Sequence, residues 1–431
     1  MKNNPREITV LALVDTLEKG EYSHIVLKNV LDKYGFLEAR DRHFISRLFK
    51  GTIEKKITLD YIIDLYSKTK VAKQKPFIRT LMRASAYQIV FMDGIPGSAA
   101  VNEAVKIAKT HGFSSLSGFV NGVLRNVVKG MPYDFDEMGV SDSVKYSVPQ
   151  WIIDKWNEEY FAGSNDTNKQ LTAMFDGFSA ERPLCVRVNP NIGRNTVMKA
   201  LLNERVTVAT SMECQSALLL KDYDRIDALE SFKTGMYYVQ DLTSQMMIDI
   251  AGIKAGDNVV DVCAAPGGKA IAAATIVGEN GHVEARDLSE SKCDVIRENV
   301  RRMGLSNISV KARDARLKDV DLVDKADVVI CDAPCSGLGV IGRKPDIRYR
   351  VTPEDVESLA QLQNEILSTV CSYVKKGGKL VYSTCTISKA ENQNQVATFK
   401  ETHPEFSVVQ EKQFFITDTH DGFYVCVMQR V

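Results

Sequence analysis

Five short apolar runs, at residues 258–262, 282–286, 308–312, 327–331 and 379–383, recur through the last part of the chain with helical stretches between them. Strands this short and this apolar are buried on both faces, which happens when they lie parallel and the crossover helices cover the sheet. The pattern therefore predicts a doubly wound parallel sheet over residues 237–431. Residues 406–409 and 423–428 read as a final strand pair that closes it. In such a sheet a ligand binds outside the carboxyl ends of the strands, near the point where strand order reverses. Chemistry is sought at those loops first.

The preceding residues read differently. Ile8, Leu11, Val14 and Leu17 recur at helical spacing, and Phe44, Ile45, Leu48 and Phe49 form a second stripe. Residues 80–92 and 99–109 continue the pattern, with a break at Asp93-Gly94-Ile95-Pro96-Gly97. Residues 1–135 are thus expected to form an all-α bundle. Residues 131–143 look like a linker. Beyond it a helix starts at Val148-Pro149-Gln150-Trp151, a strand spans 183–189, and a helix spans 196–203, which suits a small α+β module over 136–236. A chain of 431 residues is too long for one ordinary core, in keeping with this three-part division.

Composition excludes some classes. With 44% hydrophobic and 26% charged residues the chain reads as globular. No apolar run approaches the ~20 residues of a membrane helix, and the first residues lack the apolar core of a secretion signal. A cytoplasmic protein is expected. The nine cysteines are scattered, with no CxxC and no Cys/His cluster, so neither zinc nor a disulfide framework is expected. Charge is uneven: residues 1–130 hold 21 Lys and Arg against 12 Asp and Glu. That balance suits a polyanionic partner such as nucleic acid, and equally suits solvated helix faces.

The first predicted strand runs into Cys263-Ala264-Ala265-Pro266-Gly267-Gly268-Lys269 and then a helix. Glycines let the backbone approach a ligand, and a helix N-terminus offers free N–H groups to a carboxylate. The loop fits neither GxxxxGK[ST] nor GxGxxG. Asp287, Asp314 and Asp332 follow at later strand ends. Any one of them would serve as a helix cap. All three behind a Gly-Gly loop point to a ligand with ribose hydroxyls, an amino-bearing base and a carboxylate, which describes S-adenosylmethionine better than NAD.

Two cysteines stand at the ends of adjacent predicted strands: Cys335 in Asp332-Ala333-Pro334-Cys335-Ser336-Gly337, and Cys385 in Ser383-Thr384-Cys385-Thr386. Carbon 5 of cytosine is a poor nucleophile. A thiolate that adds to carbon 6 makes it enamine-like, and a second group then removes the carbon 5 proton. A cysteine pair at one mouth, with Asp332 placed to bond the base, matches that need. Spacing does not say which sulfur attacks, and the Pro-Cys context by itself favours Cys335.

In these motifs the chain resembles the bacterial small-subunit ribosomal RNA (cytosine-5)-methyltransferases of the Sun/Fmu type, named for cytosine 967 of 16S rRNA. The resemblance also covers Gln240-Asp241-Leu242-Thr243-Ser244, Tyr146-Ser147-Val148-Pro149-Gln150-Trp151 and Arg187-Val188-Asn189, and the first ~130 residues resemble the helical RNA-binding domain of NusB. It implies that Cys385 is the nucleophile and that Cys335 assists proton removal and release. It implies that Cys263 to Lys269, Asp287, Asp314 and Asp332 line the S-adenosylmethionine site, with Asp332 and Lys269 also at the reacting centre. Gly342-Arg343-Lys344-Pro345-Asp346-Ile347-Arg348-Tyr349 is similar to the family's Arg-Arg-x-Pro-Asp-Ile-x-Trp segment, with Tyr349 for Trp and Lys344 for Arg; Arg343 and Lys344 are expected on RNA phosphate. His420-Asp421-Gly422-Phe423 resembles a further element near the active site. The implied partner is 16S rRNA, free or in an early subunit intermediate, and a monomer without metal is expected. Three other readings remain: a transfer RNA enzyme, a methyltransferase of base amino groups, and an RNA-binding assembly factor with an inactive catalytic domain.

Overall fold

A computed structural model of the chain describes residues 4–162, 167–180 and 182–431. The chain divides into two compact units, Met1–Tyr160 with Arg343–Arg350, and Phe161–Gly342 with Val351–Val431.

The first unit is all helical, as its periodicity predicts. Its helices are α1 (Pro5–Leu17), α2 (Ser23–Lys33), α3 (Ala39–Glu54), α4 (Lys56–Tyr66), α5 (Pro76–Phe91), α6 (Gly97–Thr110), α7 (Ser117–Lys129), α8 (Asp142–Tyr146) and α9 (Gln150–Trp156). The α5 helix is the core of the bundle. Ile78 and every residue from Thr80 to Ile89 are buried, as expected of a helix surrounded by others. Its polar groups are paired inside: Arg83 Nε donates to Asp60 at 2.6 Å, and Arg6 Nε donates to Gln88 Oε1 at 2.7 Å. The Tyr87 side chain of α5 packs directly over Gly51 of α3, where an added Cβ would lie 2.0 Å from its ring.

The second unit holds two sheets. Helix α10 (Thr167–Ser179) leads into a four-stranded antiparallel sheet of β1 (Leu184–Val188), β2 (Thr207–Thr210), β3 (Ala217–Lys221) and β4 (Tyr237–Val239), in the order β2-β3-β1-β4, with α11 (Arg194–Asn203) and α12 (Glu230–Lys233) in its connections. After α13 (Leu242–Ala251) comes the larger sheet: β5 (Asn258–Asp261), α14 (Gly268–Val277), β6 (His282–Asp287), α15 (Glu290–Arg302), β7 (Ile308–Ala312) and β8 (Ala326–Asp332). It continues, after α16 (Ile347–Arg350) and α17 (Pro353–Val370), with β9 (Val374–Thr384), α18 (Gln393–Thr402), β10 (Phe406–Phe414) and β11 (Phe423–Arg430). Strand order is β10-β11-β9-β8-β5-β6-β7, parallel from β9 to β7, with β11 antiparallel to β9. The five predicted strands and the closing pair are all present. The order reverses between β5 and β8, so the loops after these two strands flank the switch point. Among the described residues no helix is long and apolar enough to cross a membrane.

The α16 segment is the feature that sequence order hides. It lies between β8 and α17, yet Arg343–Arg350 packs as part of the helical unit. Asp346, 3% exposed, accepts the Ser23 amide at 3.1 Å and the Ser23 hydroxyl. The N-cap residue of α2, Tyr22, makes no side-chain cap, so a carboxylate 323 positions away does the capping. Arg348, 1% exposed, donates to the Ser147 carbonyl at 3.1 Å. The Tyr349 hydroxyl meets Ser147 Oγ at 3.0 Å and the Glu54 carbonyl at 3.1 Å, with the Lys56 ammonium 4.6 Å from its ring centre. Removing Asp346 leaves the buried Ser23 amide without an acceptor. We expect Asp346→Ala to destabilise the helical unit by about 1–3 kcal/mol and Asp346→Asn, which keeps an acceptor, by less, as measured by urea unfolding.

Candidate active site

Strand β5 ends at Asp261, and the chain turns through Cys263 to Gly267 into α14. Gly267 sits at φ +106°, in the region that favours glycine. Asp287, at the end of β6 and buried, fixes the turn: its carboxylate accepts the Ala265 amide at 3.0 Å and the Leu288 amide at 2.8 Å. Lys292 approaches it at 3.1 Å. Asp314, after β7, is paired with Arg316 at 2.7 Å, which holds its carboxyl below the usual range. Asp332 ends β8. It accepts Lys269 Nζ at 2.6 Å and Ser383 Oγ at 2.8 Å. Burial disfavours the Lys269 charge, but the negative charge of Asp332, Asp261 and Cys385 outweighs it and raises the lysine pKa.

These residues surround one cavity of about 390 Å³. Cys263, Ala265, Asp287, Asp314 and Asp332 line it, and Leu288, Ala315, Leu362 and Ile366 add apolar wall. Ala264, Pro266, Gly267 and Gly268 complete the turn behind it. The donor set suits S-adenosylmethionine: carboxylates for ribose hydroxyls and an amino group, an apolar slot for a flat ring, and a volume within the range of small-molecule sites.

Cys335 and Cys385 line the same cavity, with their sulfurs 3.3 Å apart. The Cys335 thiol is pushed well above its ordinary pKa, first by its hydrogen bond to Cys385, then by burial, then by the charges of Glu391 and Asp332. Cys335 therefore holds its proton and can point it at Cys385. Other cysteines are quenched by burial: the Cys371 thiol is pushed up to about 11 and that of Cys426 to about 12, and Cys263, Cys293 and Cys331 are also raised.

The neighbouring His420–Phe423 element also reaches this region. The Gly422 amide donates to the Gly339 carbonyl at 2.9 Å, and the Gly339 amide donates to the Cys385 carbonyl at 3.1 Å. A Cβ on Gly339 would lie 2.2 Å from the Gly422 oxygen. Arg343 and Lys344 stand on the segment folded into the helical unit, where Lys344 is exposed. Sequence reasoning missed Glu391 and Asn392. Both are fully buried and bonded to residues flanking the two cysteines. Their signal was two polar residues a few positions after Cys385.

A parallel sheet with a Gly-rich turn after its central strand, and acidic residues at successive strand ends around one cavity, defines an S-adenosylmethionine-dependent methyltransferase. Comparison with known proteins narrows the class. Residues 250–425 match the family described as 16S rRNA methyltransferase RsmB/F, and residues 3–129 match the NusB family. The chain is 33% identical to the probable ribosomal RNA small subunit methyltransferase B of Bacillus subtilis, over 100% of this chain and 99% of that one. It is 31% identical to ribosomal RNA small subunit methyltransferase B of Yersinia pestis, over 95% and 93%. The solved structure of PH0851 aligns over the whole of both chains with a TM-score of 0.82 at 23% identity. That of NSun6 from Pyrococcus horikoshii with SFG covers 66% of this chain and 98% of its own, with a TM-score of 0.56 at 20% identity. These two likenesses bear on fold. The chain belongs to the ribosomal RNA small subunit methyltransferase B family, the rRNA methyltransferases that the Sun/Fmu resemblance pointed to.

One buried acid stands directly behind the site. Asp261 has no exposed surface, and neither oxygen has a well-formed hydrogen bond. Burial pushes its carboxyl up to about 7, with Lys269 pulling the other way. Its folded pKa thus exceeds its unfolded value, so the folded state binds more protons between the two, and stability falls as pH rises through that window. Relative to Asp261→Asn, the wild-type chain should lose stability from about pH 4 to about pH 7 and level off above. Urea unfolding of the two proteins across this range measures the widening gap.

Proposed function

We propose that this chain methylates carbon 5 of a single cytosine in 16S rRNA, at position 967 by resemblance, through a covalent bond between Cys385 and carbon 6. The observation that carries this reading is the 3.3 Å sulfur pair in one cavity with Asp332, whose carboxylate holds the Lys269 ammonium. A protonated Cys335 donates to the Cys385 sulfur, and the Lys269 cation lies within electrostatic reach of it. Both favour negative charge on Cys385, which makes it the nucleophile.

In the first step the Cys385 thiolate forms the S–C6 bond, the C5=C6 electron pair shifts to make C5 enamine-like, and N3 takes up a proton from the Lys269–Asp332 pair. S-adenosylmethionine, when bound, supplies the methyl group that carbon 5 accepts. Cys335 changes state in between. The largest cause of its raised pKa is the hydrogen bond to Cys385, and that bond is lost once Cys385 is bonded to carbon. Cys335 then yields its proton to the Lys269–Asp332 pair and becomes the base. It removes the C5 proton, the double bond re-forms, the S–C6 bond breaks, and Cys385 leaves as a thiolate. The N3 proton passes to solvent, so one proton is released per methyl transferred.

The target base must be unpaired or extruded to present carbon 6 to a thiolate. We assign RNA capture to the helical part, residues 1–135, with Arg343 and Lys344 on phosphate. The three-part functional division, action in the cytoplasm and a monomeric enzyme belong to the same reading. RNA affinity should then fall steeply as salt rises, which filter binding across a salt series measures.

The decisive experiment is tritiated methyl transfer from S-adenosylmethionine into total RNA of a strain lacking this gene, with bisulfite sequencing to place the mark. We expect one 5-methylcytosine in 16S rRNA, reduced by roughly 10⁴-fold or more in Cys385→Ala. Cys335→Ala should form the bond but fail to release, leaving an SDS-stable protein–RNA band. Such a band from Cys385→Ala would reverse the two cysteines, and a mark confined to transfer RNA would overturn the substrate.

A further inference from the structure

Cys335 and Cys385 follow different strands and meet through their sulfurs. A buried polar network also ties their two loops together. Glu391, between β9 and α18, binds the Cys335 side: its carboxylate accepts the Ser336 amide at 2.8 Å and the Ser336 hydroxyl at 2.6 Å. Gln363 on α17 donates to the same carboxylate at 3.2 Å and to the Pro334 carbonyl at 2.8 Å. The residues before and after Cys335 are therefore both held.

Asn392 binds the Cys385 side. Its Oδ1 accepts the Thr384 hydroxyl at 2.6 Å, and its Nδ2 donates to the Thr386 carbonyl at 3.1 Å. The residues before and after Cys385 are held in turn. The hydroxyls of Ser336 and Thr386, each next to its cysteine, close the gap at 2.7 Å. The backbone of the dipeptide is anchored as well, since the Tyr382 hydroxyl donates to the Glu391 carbonyl at 2.5 Å. Glu391, Asn392, Ser336 and Thr386 are all buried, so these bonds form in a medium where an unmade one is costly and a made one is rigid.

We propose that Glu391 and Asn392 are positioning residues: adjacent side chains of one dipeptide, each gripping the loop of one cysteine, set the distance between the nucleophile and the group that releases it. The proposal rests on the two-cysteine reading above. It assigns the two side chains different steps. Glu391 acts on release, because it holds the loop of Cys335. Asn392 acts on attack, because it holds both neighbours of Cys385.

The test uses the full chain, S-adenosylmethionine and a 16S rRNA transcript, with rapid quenching to separate formation of the SDS-stable adduct from its decay. Glu391→Ala is expected to form adduct at the wild-type rate and to release it more slowly, on the order of 10²-fold, with unchanged S-adenosylmethionine affinity. Glu391→Gln, which keeps an oxygen for the Ser336 amide, should restore most of the release rate. Asn392→Ala should slow adduct formation instead. Ser336→Ala removes only a hydroxyl and should slow release in the same direction, which keeps the test open if Glu391→Ala does not fold. Equal slowing of both steps in Glu391→Ala, a folded Glu391→Gln no better than alanine, or a parallel loss of cofactor affinity would overturn the proposal. Adduct in Cys335→Ala but none in Glu391→Ala overturns the grip alone. No adduct in Cys335→Ala overturns the two-cysteine reading, and the grip falls with it.

Discussion

The register of β8 on β9 is the constraint from which the site follows. The two strands pair in parallel with Asp332 opposite Ser383, and the Ser383 hydroxyl donates to the Asp332 carboxylate at that point. Parallel pairing brings both carboxyl ends to one edge, so the loops that follow open on the same side of the sheet. Cys335 is three residues beyond one strand-end partner and Cys385 two beyond the other. A slip of one residue would turn Asp332 to the opposite face of the sheet and take its carboxylate away from Lys269. The ion pair, the sulfur contact and the cavity wall all depend on that one alignment.

Much of this was legible in the chain because it rests on local rules. Parallel strands buried on both faces leave short apolar runs, and the five that were read are five strands of the sheet. The Gly-rich turn was readable because Gly267 occupies a conformation that other residues avoid. The two cysteines and Asp332 were readable because strand ends are where such sheets place ligands. Other features rest on contacts between residues distant in sequence and leave no such trace. Asp346 stands in a segment read by its resemblance alone, whereas it caps a helix formed more than three hundred positions earlier. Arg348 and Tyr349 carry no local sign that they are partners of Ser147 in the helical unit. The strands β2, β3 and β4 went unread one by one because a small sheet with loops of irregular length has no strong period.

The charges around Asp332 explain why the cavity is built of pairs. Lys269 and Asp332 are largely removed from water, and a lone charge there would cost several kcal/mol. Their contact offsets that cost only while both remain charged, so the pair holds a cation near Cys385 in a place where a solvated lysine would be screened. Asp261 behind them lacks such pairing, and its carboxyl is correspondingly pushed up towards neutrality. At rest the site thus holds one acid that burial pushes towards neutrality beside one cation that its acidic neighbours keep charged.

The cysteine loops are tied by buried polar groups and not by apolar packing alone. Apolar packing is dense but non-directional, so it fixes the volume around a thiol more than its orientation. A buried carboxylate or amide has no equivalent alternative, since losing a partner costs roughly 1–3 kcal/mol and more for a charged group. Glu391 and Asn392 therefore hold their loops in one arrangement and tolerate few others. The proposed reaction, in which one sulfur bonds a carbon and the other takes a proton from the adjacent carbon, demands that narrowness. The polar network is costly to bury, and its directionality supplies a fixed geometry that van der Waals contact alone does not.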